Sequence, residues 1–367
     1  MLSDDRTRIP GLHDHHLHLR ATAAARASVD LLDARDLSPL SAAGDGWLRA
    51  VNYHESIAGP LDRWRLDAVV GDRPVRVQHR TGELWVLSSA ACRVVGLDDG
   101  HDGRLWRSDE WLRERVPPVE VDLAGLGADL ARLGVTAVTD TTAGQDASSL
   151  GDLALLPQRV TAMVPPGVEV PDGVTAGPHK LLLDDATLPT VDELRATIAS
   201  SPAGVAAHCV TRVQLVAYLA AGPRPGDRVE HGALISPDLF PALRGLTVVT
   251  QPNFVVERAE QYRAELDADD LADLYRCRSL LDAGIDVRCG TDAPYGRPDP
   301  WAAMRAAVER DLGPDERVTP EQALRLFTGN GEGDWCVLGV PLEVQLRELD
   351  PANVAATYVG GVPIYEA

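Results

Sequence analysis

Lysine is almost missing from this chain. Of its 35 basic residues only one, Lys180, is lysine, and the rest are arginine. Arginine-rich codon usage in a GC-rich genome accounts for the scarcity, but not for the survivor. Cysteine is also sparse. Cys92, Cys209, Cys277, Cys289 and Cys336 are scattered, odd in number and form no CxxC pair. That pattern excludes a disulfide framework and fits reduced thiols, so a cytoplasmic location is expected. No apolar run approaches the ~18 residues of a membrane span. The start, MLSDDRTRIPG, has no apolar stretch of the kind a secretory leader carries, so none is expected. Positive charge is in deficit, with 55 acidic residues against 35 basic ones and a net charge of −20. A chain that acidic is a poor electrostatic match for nucleic acid or an anionic membrane. Repeats, heptads and low-complexity tracts are lacking too. What is present is an ordinary globular composition, 45% hydrophobic over 367 residues. That is enough for one large α/β barrel with an insertion, or for two domains.

Short β-branched runs alternate with amphipathic helical stretches, which predicts parallel strands with crossover helices. Strands are expected over Leu12–His18, Val135–Thr141, Arg159–Val164, Lys180–Leu183, Val205–Cys209, Arg228–His231, Leu246–Gln251 and Asp286–Thr291. Helices are expected over Leu123–Leu133, Val191–Ser200, Thr211–Ala220, Pro237–Leu243 and Asp269–Ala283, with Gly284 closing the last as a C-cap. The Pro/Gly-rich run Val164–Pro178 reads as a loop. Eight strands with helices between them give the count of a (β/α)8 TIM-like barrel. A doubly wound open sheet is the alternative, but no GxGxxG follows the first strand.

The spacing is uneven in one place. The long interval between the first and second strands holds five of the seven tryptophans: Trp47, Trp64, Trp85, Trp106 and Trp111. It also carries a strand of its own, Pro74–His79, and a helical stretch near Leu61–Val70. Residues 40–118 are therefore expected to form an inserted subdomain that covers the active-site end of the barrel. The tryptophans either pack this insert or reach substrate. Tyr53, His54, His79 and Trp85 are its candidate substrate-binding residues, and Glu83, odd by charge, is a candidate selector of a cationic group.

Chemistry concentrates at predicted strand ends. In GLHDHHLHL, His16 and His18 are two apart on a strand and point the same way. They suit a metal ion, or they are ordinary surface or core histidines. His13 and His15 have the opposite parity and are expected to be structural. His208 closes VAAH, His231 closes RVEH, and Asp292 follows Cys-Gly-Thr. In a barrel the C-terminal ends of separate strands converge on one pocket, so the set is expected to act together. Lys180 opens the fourth strand. A lysine amine that loses its proton can take up carbon dioxide, and the resulting carbamate offers two oxygens to metal ions; arginine stays protonated and cannot do this.

The order HxH, Lys, His, His, Asp resembles the amidohydrolase superfamily, and more narrowly its amidohydrolase 3 or YtcJ-like branch. The matching stretches are Pro10–Leu19, Arg73–Ala91, Leu133–Thr142, Arg228–Ile235, Cys289–Arg310 and Val318–Tyr365. The resemblance implies a metal-dependent hydrolase that cleaves a C–N amide-type bond, in a cyclic amide or an N-acyl or N-formyl compound. It implies one or two divalent ions, zinc by preference. His16, His18 and Asp292 would hold one, His208 and His231 the other, with a Lys180 carbamate between them. Asp292 would serve as general base and acid. The implied partner is a small-molecule substrate, with neither nucleic acid nor membrane, and a homodimer is the candidate assembly. Residues 1–39 and 119–330 would make the hydrolase barrel, and 331–367 the remnant of a small β-sandwich. That sandwich is vestigial here, because HxH begins at residue 16 and GEGDWCVL follows Asn330. Where relatives carry Asp-Gly-His in the insert, this chain has Thr81-Gly82-Glu83, which implies a different substrate. A nucleobase deaminase is disfavoured, because Cys-Val-Thr-Arg follows His208 in place of an HxxE acid. The competing readings are a non-catalytic metal-binding scaffold of the same fold and an ester or lactone hydrolase.

Overall fold

The computed structural model describes residues 7–41, 46–119, 121–329 and 331–367. Most of the charged start, from which no leader is expected, lies outside the described residues, as does Asn330, the expected end of the hydrolase domain. The chain divides into two compact units, Met1–Leu19 with Leu123–Ala367, and Arg20–Asp122.

In the larger unit the alternation of strands and helices produces two parallel sheets. One runs in the order Leu12–Leu17, Val135–Asp140, Arg159–Met163, Val174–Gly177. The other runs His179–Leu181, Val205–Cys209, Arg228–His231, Thr247–Thr250, Asp286–Cys289. Their interiors are valine and alanine; Val205, Ala206, Ala207, Val229 and Val248 are fully buried. Strands of a parallel sheet covered on both faces read as such continuous apolar runs. A single residue, Pro178, separates the last strand of one sheet from the first of the other. At the opposite margins, Asp292 N–H donates to His16 O at 2.7 Å and His18 N–H to Ala293 O at 2.8 Å. A Cβ on Gly290 would stand 2.4 Å from His16 N. Only glycine lets the two backbones meet there.

The expected strands form within two residues of their expected bounds; the fourth opens one residue earlier and closes two earlier. The helices Leu123–Arg132, Val191–Ser200 and Arg212–Ala220 form as well. Thr190 with Glu193 and Thr211 with Gln214 close reciprocal capping boxes that start the last two. Three expectations need correction. Val164–Pro178 is not all loop, because Val174–Gly177 pairs in parallel with Val160–Met163. Pro237–Leu243 is a 3-10 turn followed by a four-residue helix, Phe240–Leu243. Asp269–Ala283 is broken into Ala268–Asp273 and Arg278–Asp282. Between them Leu274 bridges Leu234, and Tyr275, at φ +45°, donates its N–H to Ala233 O. Arg310 then donates to the carbonyls of both Leu274 and Tyr275. Tertiary bonds override the helical pattern.

The C-terminal segment forms one four-stranded antiparallel sheet with the start of the chain: Arg8–Pro10, Trp335–Leu338, Val354–Val359 and Val362–Glu366. Ile9 pairs with Cys336 and Thr357 with Tyr365. Residues 8–10, expected in the barrel, thus pair with the C-terminal segment instead.

The smaller unit is built on a five-stranded mixed sheet, in the order Val29–Asp30, Leu48–Tyr53, Val75–His79, Leu84–Leu87, Arg104–Trp106. It begins earlier than residue 40 because Val29 pairs in parallel with Ala50. It has its own core: Leu31, Leu40, Tyr53, Leu66, Val75 and Val86 pack in one cluster, and Trp85, Cys92 and Leu112 in a second. Among its tryptophans, Trp85 is buried, whereas Trp64 and Trp106 are more than half exposed. No helix among the described residues is long and apolar enough to cross a membrane.

Candidate metal centre

The parity of the first strand puts His16 and His18 on one side, and the turn after the last strand brings Asp292 to them. Asp292 Oδ1 lies 3.4 Å from His16 Nε2 and 3.2 Å from His18 Nε2. All three ligand atoms fall within 4.8 Å of one another. Asp292 reaches this position at φ +55°, and His231, at the end of its own strand, stands at φ +67°. Such angles are strained for residues other than glycine and cluster where a side chain must be aimed.

The surrounding hydrogen bonds decide which ring nitrogens are available. His16 Nδ1 donates to the Glu230 carboxylate, which leaves the Nε2 lone pair facing Asp292. His231 Nδ1 lies 2.8 Å from Gln251 Oε1, an acceptor, so this nitrogen carries the proton and Nε2 is left bare. His18 Nδ1 lies 3.2 Å from Thr142 Oγ1. A neutral imidazole whose outer nitrogen donates in this way is the form that binds a metal. His16 Nε2, Asp292 Oδ1 and Lys180 Nζ are buried without any hydrogen-bond partner. Buried polar atoms are normally paired, so the facing orphans His16 Nε2 and Asp292 Oδ1, 3.4 Å apart, call for a cation. The donor set of two imidazoles and a carboxylate suits zinc.

The electrostatics agree. Burial would raise the Asp292 pKa, but His16, His18 and His231 hold it well below the usual carboxylate range. Burial also works against the Glu230 carboxylate, yet Arg228, His16 and Lys180 keep it ionised. Burial pulls the Lys180 ammonium down, against the attraction of Glu230 and Asp292. Burial, and next the charge of Lys180, push His208 down to about 3, so its ring is neutral. His208, His231 and His16 stand in sequence, with ring centroids 4.5 Å and 4.6 Å apart.

Of the six expected ligands, His16, His18 and Asp292 fall within ligand distance of one another, His231 and His208 follow in turn beside His16, and the buried Lys180 ammonium feels the charge of Asp292. His13 and His15 stay apart from this set. They stack on each other at 3.8 Å, and His13 Nε2 lies 2.9 Å from Thr139 Oγ1. The sequence reading missed the groups that orient the ligands: Glu230, Gln251, Thr142 and Asp14. Glu230 stood in plain view inside RVEH, but strand alternation suggests that it points away from His231. That direction leads to His16, on a strand distant in sequence. Asp14 has the same parity as His16 and His18. It accepts from Thr291 N–H at 3.0 Å and from Thr291 Oγ1–H at 2.5 Å, anchoring the turn that carries Asp292.

The insert residues are placed differently. Tyr53 is buried and its hydroxyl donates to Gly59 O. Trp85 is buried too, with its indole N–H on Asp109 Oδ1 at 2.8 Å. Glu83 pairs with Arg107 at 3.4 Å. His54 and His79 gather around Glu55, which the sequence reading did not single out; His79 Nε2 lies 3.0 Å from its Oε2. Ser56 N–H donates to His54 Nδ1 and Thr81 N–H to His79 Nδ1, each at 3.2 Å. Both neutral rings therefore carry their proton on Nε2.

Comparison with known proteins agrees with this chemistry. A curated N-substituted formamide deformylase from Arthrobacter pascens is 36% identical over 117 residues, which is 25% of this chain and 22% of that protein. The match thus spans about a fifth of the length of that relative. An uncharacterised metal-dependent hydrolase from Pyrococcus horikoshii OT3 superposes with a TM-score of 0.70 at 20% identity, over 87% of this chain and 80% of that one. One from Pyrococcus furiosus gives 0.68 at 21% identity, over 87% and 81%. These two share the fold. The profile of the amidohydrolase family matches residues 4–333. With the match extending over most of its length and covering His16, His18, Lys180, His208, His231 and Asp292, the chain belongs to the amidohydrolase family.

Proposed function

We propose that this protein hydrolyses a C–N amide-type bond, in a cyclic amide or an N-acyl or N-formyl compound. The observation that carries the proposal is the pair of orphaned, buried atoms His16 Nε2 and Asp292 Oδ1, 3.4 Å apart, with His18 Nε2 beside them. A divalent ion bound there, zinc by the donor set, would supply hydroxide at neutral pH and polarise the scissile carbonyl. In this proposal His16, His18 and Asp292 hold one ion and His208 and His231 a second. The Lys180 amine would add to the carbon of carbon dioxide and release a proton to solvent, giving a carbamate able to offer two oxygens to metal ions. Glu230 and Gln251 keep the proton on the outer nitrogen of His16 and His231, so the inner nitrogens stay basic. Asp292 accepts the proton of the attacking water and returns it to the leaving nitrogen. The two parallel sheets, continuous at Pro178 and hydrogen-bonded between His16 and Asp292, support an eight-stranded barrel as the scaffold. Tyr53, His54, His79, Glu83 and Trp85 of the insert are proposed to govern substrate choice.

Lys180→Arg tests the site. It keeps the charge and removes any carbamate. The expected result is metal content falling from near two ions per chain to one or fewer, with most turnover on a panel of N-formyl and cyclic amides lost and the melting temperature kept. Wild-type metal content and activity in the variant would refute the bridging role. A metal-loaded wild type inert on the whole panel would refute the C–N reading itself.

A further inference from the structure

The larger unit contains several partly or fully buried arginines among the described residues, and many of them are well partnered. Arg212 is held by Asp270 and Asp273, Arg228 by Glu230, and Arg276 by Asp273 and Glu316. Arg310 donates to three carbonyls, those of Leu312, Tyr275 and Leu274. Arg258 differs. Its one hydrogen bond is from Nη2 to Tyr295 O at 2.9 Å. Its Nε is buried with no partner. Its guanidinium carbon lies 3.7 Å over the Phe254 ring, an apolar floor. The adjacent Glu257 carboxylate is turned to Arg297 N–H and the Asn253 amide. A guanidinium has five N–H donors in a planar fork, and an Nε–H left unmet away from bulk water is costly.

The place matters as much as the vacancy. Tyr295, whose carbonyl takes Arg258, stands with its ring 5.4 Å from that of His18 and its N–H on Asp292 O at 2.8 Å. Arg258 thus lies one residue removed from the candidate metal centre. Tyr262 and Tyr275, with hydroxyls 3.5 Å apart, also bear on its charge. Tyr262 donates its hydroxyl hydrogen to Tyr275, which leaves the Tyr275 hydrogen to donate onward.

We propose that Arg258, with Tyr262 and Tyr275, receives a carboxylate of the substrate, so that the hydrolysed compound is an anionic N-acyl or N-formyl species. This rests on the C–N hydrolase reading above. The fork of a guanidinium matches a carboxylate in bidentate fashion. A singly charged carboxylate balances one guanidinium, whereas a dianionic phosphate would add net repulsion from Asp292 close by.

The test compares the metal-loaded protein on N-formylglycine and on its neutral isostere N-formylglycinamide. The expected preference in kcat/KM for the acid is about tenfold to a hundredfold, the scale of charge-assisted hydrogen bonds. Arg258→Met should bring that ratio close to one, with KM carrying the change, and Arg258→Lys should keep an intermediate ratio. A purely structural role at Tyr295 would instead lower the melting temperature and kcat on both compounds alike. Equal turnover of acid and amide by the wild type would overturn the proposal and leave the hydrolase reading intact. Should neither compound react, the C–N reading is judged on the whole panel, and thermal shift decides the anion site. Stabilisation by succinate beyond that by succinamide, lost in Arg258→Met, supports it; no such difference in the wild type overturns it.

Discussion

Two clusters of histidine and carboxylate occur in this protein, and they have opposite chemistry. His16, His18 and Asp292 are largely buried, the outer nitrogens of the two rings are committed to Glu230 and Thr142, and His16 Nε2 and Asp292 Oδ1 face each other without a hydrogen-bond partner. His54, Glu55 and His79 have a similar composition and equally close atoms, but they are partly exposed. There the backbone N–H groups of Ser56 and Thr81 occupy Nδ1, so Nε2 carries the proton and points at Glu55. A ligand distance does not make a metal site. The tautomer fixed by the outer hydrogen bond, together with burial, decides whether a lone pair or a proton faces inward.

The sharpest way to break the comparison is Asp292→Asn. It removes the group proposed to take and return the proton, and turnover should fall by about 10²- to 10⁴-fold, measured as kcat on whichever panel compound reacts. Retained activity would move the acid–base role elsewhere. Next is Glu230→Gln, which keeps the acceptor for His16 and removes its charge. Zinc affinity, measured by chelator competition, should weaken about tenfold to a hundredfold. No change would mean that the outer bond does not tune the ligand.

Acid stability of the metal-free protein sharpens the contrast further. Burial, and then Arg228 and Arg288, lower His13 from 6.5 to about 3, and burial lowers His15 well below 6.5. A histidine pKa depressed by folding contributes stability above pH 6.5 and loses it as pH falls towards 3. Asp14 runs the other way: burial raises it from 3.8 to about 6, so its contribution is lost as pH rises through that value. Two large shifts outweigh one smaller opposing shift, so the melting temperature should drop between pH 6.5 and 4. In the insert, burial opposes ionisation of Glu55, but its own N–H and His79 hold it below 4.5, so its contribution is lost only under that value. A flat melting temperature over this range would contradict the burial assigned to His13 and His15. The smallest effect is expected from His79→Gln. It should leave metal content unchanged and cost about 0–1 kcal/mol in urea unfolding, since the pair with Glu55 is partly exposed. Loss of an ion would make the insert cluster a metal site after all.

Much of this was legible in the sequence because the ligands sit at strand ends, where period-two alternation and strand order are enough to bring them together. His16 with His18 and the chain order of Lys180, His208, His231 and Asp292 needed nothing more. What escaped depends on contacts between distant segments. Nothing local in RVEH says that Glu230 will meet His16, and nothing in DDLADLYRCRSLLDA says that Arg310 will pull Leu274 and Tyr275 out of a helix. Val174–Gly177 was missed because four residues ending in glycine carry too little pattern; their partner strand supplies it. The early start of the insert was missed because Val29–Asp30 is a two-residue strand recognisable only by its ladder to Ala50 and Val51.

The seam between the first and last strands of the larger unit has a consequence for motion. Gly290 lies against His16, Asp14 grips Thr291, and the amides of Asp292 and His18 bond across to His16 and Ala293. No one of these can open without disturbing the others. In hydrogen–deuterium exchange the amides of His18, Thr291 and Asp292 should therefore behave as a single cooperative unit with one protection factor, exchanging only when the whole seam parts.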